Sequence, residues 1–298
     1  MTSAPYGVHS NVGLKEEAPQ KRFHERPAAR IILRMHGMGY KLGVLSTTLA
    51  IGMFAASALT LPTIALNLGT LTFATSGKAL LALVILCLTF AGVEDIVRSH
   101  PTAGPHQLQR SYMCWILPVL LVAVAMLVLA APATLESRVR VILLGLACLS
   151  GLILLEYSVL DTNASWQPLM ARAVPFAAHA LAVPMYAVLS MRMGGGIGGI
   201  GTAAASAALA LRLIVDPERS PVRVAPYALA IGALLGVSFD LLSGVVAPMP
   251  YALAMTVLLY IATGVTNRWL LGTLTRRVIV EYLIAGVVIL LLLYVYGV

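Results

Sequence analysis

From Gly43 onward the chain is a succession of long apolar runs separated by short polar or Pro-containing breaks. An α-helix needs about 20 apolar residues to cross the ~30 Å hydrocarbon layer at 1.5 Å per residue. On that basis the pattern predicts nine spans, at 43–66, 72–93, 112–132, 139–160, 168–191, 195–215, 223–245, 249–266 and 278–297. The sixth opens on GGGIGGIG, Gly194 to Gly201, and a broken or re-entrant form of it would lower the count to eight. The runs are continuous, so they fit helices; the strands of a transmembrane barrel would alternate apolar and polar residues. The expected fold class is all-α, a polytopic transmembrane helical bundle.

Composition excludes a soluble domain. The 298 residues are 59% hydrophobic and 11% charged, against about 25% charged in ordinary soluble domains. The net charge of +8 would suggest nucleic acid in a soluble protein, but the placement of the charges explains it as topology. With the N-terminus inside, sixteen of the 20 Lys and Arg fall on the inner side. The outer loops hold Arg138, Arg140 and Arg192, and Lys78 lies in the outer part of the second span. Positive charge marks the cytoplasmic side, so the expectation is N-terminus in, C-terminus out, in the cell inner (plasma) membrane. The implied partners are the lipid bilayer and other membrane-protein subunits, with a small-molecule ligand possible and no nucleic acid.

Three segments follow: a basic tail over 1–42, three N-terminal spans over 43–138, and a six-helix module over 139–298. The polar, basic start does not resemble a cleavable signal peptide, so the first run is expected to remain as a span. Residues 1–27 carry Pro5, Pro19 and Pro27 with mixed charge and are expected to be disordered. Within 28–41, Ile31, Ile32, Met35 and Met38 share a helical face away from Arg30, Arg34 and Lys41. That is the pattern of a short helix lying on an anionic leaflet; a solvated juxtamembrane linker is the other reading.

GIGGIG, Gly196 to Gly201, followed by Asp216, formally matches a dinucleotide fingerprint. The fingerprint works only after a β-strand and before a water-accessible helix start, and apolar spans flank it here. Gly194, Gly195, Gly198 and Gly201, with Gly232, Gly236 and Gly244 in the seventh span, read instead as faces stripped of side chains for close helix approach. His100 and His106, six apart without a third ligand, are expected to be solvated loop residues and not a metal site. Cys87, Cys114 and Cys148 read as small apolar residues. No spacing that marks a nucleophile, a metalloprotease or a phosphate loop occurs in the chain, so no catalytic residue, metal or cofactor is expected and the protein is not read as an enzyme.

The remaining candidates are ionisable residues inside spans, which are costly in hydrocarbon and normally face the bundle interior. Glu94, Asp95, Glu156 and Glu281 lie near the inner surface, where Arg98, Arg172 or Arg277 can neutralise them. His179 is near mid-bilayer. Asp240 sits toward the outer third, with Ser238 and Ser243 close enough in sequence to hydrogen-bond its carboxylate. Asp240, His179, Glu156, Ser238 and Ser243 are therefore the candidate ligand or partner contacts, with Asp240 alternatively a polar pin between helices.

The stretch AIGALLGVSFDLLSGVVAPMPYALAMTVLLYIATGVTNRWL, Ala230 to Leu270, carries Gly232, Gly236, Asp240, Ser243 and Gly244, then Tyr260 in the next span. It resembles the rod-shape-determining membrane protein family MreD, which is similar in turn to the six-helix substrate-binding subunits of energy-coupling-factor transporters. The resemblance covers about 41 residues; this chain has VVAPMPY where the family carries Leu-Gly, and more spans. It implies a non-catalytic scaffold of an envelope-synthesis complex. A transport or ligand-binding subunit is the alternative, and an accessory subunit of a respiratory or photosynthetic complex a further one.

Overall fold

A computed structural model describes residues 27–68, 71–100, 113–160, 166–193, 195–214, 221–244 and 246–295. Among these, the helices are α1 (Pro27–Ala58), α2 (Gly77–Arg98), α3 (Ile116–Leu129), α4 (Leu135–Val159), α5 (Gln167–Arg192), α6 (Gly195–Ile214), α7 (Pro221–Leu242), α8 (Pro248–Leu270) and α9 (Arg276–Val295). Seven helical stretches among the described residues are long and apolar enough to cross a membrane, and the 14-residue α3 is a shorter apolar helix. The protein is a polytopic helical bundle, and α6 is one uninterrupted helix without a break at its glycines. Expected disorder over residues 1–26 concerns a segment outside the described residues.

The first two helices are shifted along the chain relative to the spans 43–66 and 72–93 that the hydropathy pattern predicts. Helix α1 stops at Ala58 and α2 starts at Gly77; between them β1 (Thr63–Leu68) and β2 (Leu71–Ser76) pair antiparallel, from Thr63 opposite Ser76 to Leu68 opposite Leu71. Pro62 lacks the amide hydrogen that a continuing helix would use, and TIALNL and LTFATS are rich in β-branched and aromatic residues that suit strands. A hydropathy reading counts such residues as greasy and cannot tell the two apart. Ser76 then caps α2 by accepting from the Ala79 amide at 3.2 Å, and Thr134 caps α4 in the same way. Gly272, at φ +67°, follows the last turn of α8, a left-handed position that a side chain would strain.

Residues 27–41 are helical and belong to the 32-residue α1. Tyr40–Val298 make one compact unit. Its apolar core joins Leu117 and Val124 of α3 to Val174–Leu189 of α5, Leu209 and Ile214 of α6, Leu235 and Phe239 of α7 and Tyr251, Met255 and Leu259 of α8. Thus α3 shares its core with the later helices. Helix α9 packs on α8, where Gly264 faces Tyr282 and Gly286 faces Ile261. Large apolar side chains on the perimeter, including Ile51, Leu144, Phe176 and Leu241, present a surface that lipid, not water, satisfies.

Candidate functional site

The closest helix contact is the antiparallel pair α6–α7, and residue spacing explains it. Gly199, Ala203 and Ala207 repeat every four residues on α6; Gly232, Gly236 and Asp240 do so on α7. The two stripes face each other. A methyl at Gly232 would collide with the Ala203 carbonyl and Ala207, and one at Gly236 would come within 2.8 Å of the Gly199 carbonyl and of Ala203. Asp240 is the last member of its stripe, and a methyl at Gly199 would stand 2.6 Å from its Oδ2. The carboxylate therefore occupies the space a side chain at position 199 would need. Gly198 is closed in the same way by the Phe239 ring.

Two glycines expected to pack closely do not. A methyl at Gly244 would meet nothing within 4 Å, and one at Gly201 would make ordinary contact with Leu189 and Met193 at 3.4 and 3.5 Å. Gly201 lies off the four-residue register through 199 and 203, and Gly244, although it continues the spacing of 232, 236 and 240, lies beyond the end of α7 at Leu242. Gly195 belongs to the first turn of α6, and Gly194 lies outside the described residues. The serines flanking Asp240 also serve other ends: the Ser238 hydroxyl donates to the Leu234 carbonyl one turn back at 2.9 Å, while the Ser243 amide donates to the Phe239 carbonyl. The carboxylate's neighbour is thus Gly199 across the interface.

Glu156, near the end of α4, is 1% exposed and takes a two-pronged ion pair from Arg212 of α6: Nη2 to Oε2 at 2.6 Å and Nε to Oε1 at 3.0 Å. Its partner is none of the arginines expected from sequence. Arg172 is exposed on α5, whereas Arg98 and Arg277 pair with Glu94 and Glu281 one turn away on their own helices. The planar guanidinium matches both carboxylate oxygens, the arrangement that best offsets taking two charges out of water. Buried Cys114, in the turn before α3, lies beside the pair. His100 is not a solvated loop residue: it is 5% exposed and packs edge-on to Tyr157 at 4.3 Å. His106 lies outside the described residues.

His179 on α5 is held away from both sites. Its Nδ1 lies 2.7 Å from the Pro175 carbonyl, which can only accept, so Nδ1 carries the hydrogen and Nε2 is left as a buried acceptor without a hydrogen bond. The ring stands edge-on to Tyr260 of α8 at 5.5 Å, and Tyr260 meets Tyr282 of α9 at 5.6 Å. Asp240, by contrast, rests on α6.

A further polar group went unnoticed in the sequence. Tyr186 on α5 and Ser206 on α6, both fully buried, bond through their hydroxyls at 2.7 Å. One turn along α6, the Thr202 hydroxyl lies near that of Tyr251 on α8; both are buried without a hydrogen bond. The available signal was Thr202 and Ser206 spaced by four in a helix otherwise made of Gly, Ala and Leu. No cluster of three or more metal-ligating side chains occurs among the described residues.

Helices of this length and hydropathy, with an interior ion pair and a lipid-compatible perimeter, define a multi-pass integral membrane protein. Residues 57–296 match DUF5656, a family described as proteins of unknown function, and the chain belongs to it. No curated protein and no solved structure matches the chain.

Proposed function

We propose that this protein is a non-catalytic scaffold or accessory subunit of a multi-protein complex in the inner (plasma) membrane, with an MreD-like part in envelope synthesis. The observation that carries the reading is the use made of polar groups inside the spans. Glu156 and Arg212 consume each other's charge, Tyr186 and Ser206 bond each other, and Asp240 closes the tight α6–α7 seam. Such groups fix helix positions and make a rigid platform for neighbours.

The test is purification of the tagged full chain in mild detergent, with quantification of co-purifying proteins. A stoichiometric membrane partner, kept by Asp240→Asn, supports the scaffold. A clean monomer, with Asp240→Asn abolishing function in cells, would overturn it. A second reading, a ligand-binding or proton-coupled transport subunit, is favoured by one observation: His179 Nε2 and the hydroxyls of Thr202 and Tyr251 are buried polar atoms without hydrogen bonds, available to a small polar ligand.

A further inference from the structure

Helices α1 and α2 meet along a narrow seam. A methyl at Gly92 would lie 2.5 Å from Leu45 Cδ1, and one at Gly52 would lie 3.1 Å from Ile85. Beside this seam, at the arginine-rich end, is an open groove of about 520 Å³. Its walls are Val44, Leu45 and Thr48 of α1 and Leu88, Ala91 and Gly92 of α2; Tyr40, Lys41 and Asp95 form its mouth. From Tyr40 to Thr48 the groove follows α1 for about 12 Å at 1.5 Å per residue, most of one leaflet's ~15 Å share of the hydrocarbon layer.

The mouth is an ion pair of two exposed partners. Lys41 Nζ is 2.8 Å from Asp95 Oδ2, with 34% and 65% of the two side chains still accessible. Each charge keeps free capacity for a third group. Tyr40, 75% exposed, stands at the level where aromatic hydroxyls meet lipid headgroups.

We propose that this groove is a binding site for one phospholipid with a primary-ammonium headgroup, of the phosphatidylethanolamine type. The acyl chain lies against Val44, Leu45, Leu88 and Ala91; the phosphate accepts from Lys41, and the ammonium donates to Asp95. The charge pattern selects within lipids. A purely anionic headgroup satisfies Lys41 but is repelled by Asp95. A quaternary ammonium carries no N–H to donate to the carboxylate. The small side chains at 91 and 92 keep the groove open.

The test uses the full chain reconstituted into bilayers of equal parts phosphatidylethanolamine, phosphatidylglycerol and phosphatidylcholine with matched chains. After mild-detergent extraction, retained lipid is weighed by native mass spectrometry. Exposed charge pairs of this kind contribute up to about 1 kcal/mol, so enrichment of phosphatidylethanolamine by about threefold, and by no more than about fivefold, is expected. Asp95→Asn should abolish the headgroup preference while the chain still occupies the groove. Ala91→Phe, which fills the groove and leaves the ion pair intact, should remove the bound lipid, so the inference stays testable if Asp95→Asn does not fold. Retention of the three lipids in the proportions supplied, an unchanged preference in Asp95→Asn, unchanged binding in Ala91→Phe, or a second protein copy filling the groove would each overturn it.

Discussion

Removing one half of the Glu156–Arg212 pair should cost far more than removing both. Arg212→Met strands a carboxylate that is 1% exposed, and an uncompensated buried charge of this kind costs about 3–5 kcal/mol. That is a large fraction of the ~5–15 kcal/mol by which a folded domain is stable. Glu156→Leu should fall at the lower end of the range, because the Arg212 side chain keeps 16% exposure and its long stem lets the guanidinium reach the surface. The double variant Glu156→Leu/Arg212→Met exchanges both charges for apolar volume and should return to within about 1 kcal/mol of the parent, since buried pairs are often replaceable by packed apolar residues. Equilibrium unfolding in mixed micelles, followed by tryptophan fluorescence, gives all four corners of the cycle. A coupling energy below about 0.5 kcal/mol, or a double variant no better than the worse single one, would refute the claim that the two residues act as a neutralised pair.

Other expectations follow from the same packing. Gly236→Leu and Gly199→Leu should force α6 and α7 apart and yield aggregated protein on fluorescence-detected gel filtration, while Gly244→Ala, with nothing within 4 Å, should change stability by no more than about 0.5 kcal/mol. Tyr186→Phe should cost about 1–3 kcal/mol in detergent unfolding by stranding the buried Ser206 hydroxyl, and adding Ser206→Ala should recover most of that loss. Gly264→Leu, at a site filled by the Tyr282 ring, should loosen α9 and speed limited proteolysis at residues 271–275. A cleavage rate equal to that of the parent would count against the α8–α9 contact.

The glycine stripe shows how the candidate site was legible only in part. A run of Gly and Ala announces close helix approach, and Gly198, Gly232 and Gly236 were identifiable on that ground. Which of the other glycines join them depends on register against a particular neighbour. Gly199 and Asp240 meet because α7 lies antiparallel to α6 at one offset; Gly201 misses because it lies off that register, and Gly244 because α7 ends before it. Likewise Arg98, Arg172 and Arg277 were the expected partners of the inner carboxylates; Arg212, 56 residues from Glu156, reaches it because α4 and α6 converge at one end of the bundle.

Sequence by itself determined that this is a membrane protein of many helical spans, because hydrocarbon demands long apolar runs with their backbones satisfied internally. It also determined which residues were too costly to leave facing lipid. Tertiary structure decided what those residues do: that Glu156 is chelated by Arg212, that His179 stands edge-on to Tyr260 and that Tyr186 finds Ser206. It also converted part of two apparent spans into the hairpin 63–76. Hydropathy is a property of each residue with its solvent and is additive along the chain, whereas pairing depends on how neighbouring helices are turned toward each other, which no single segment encodes.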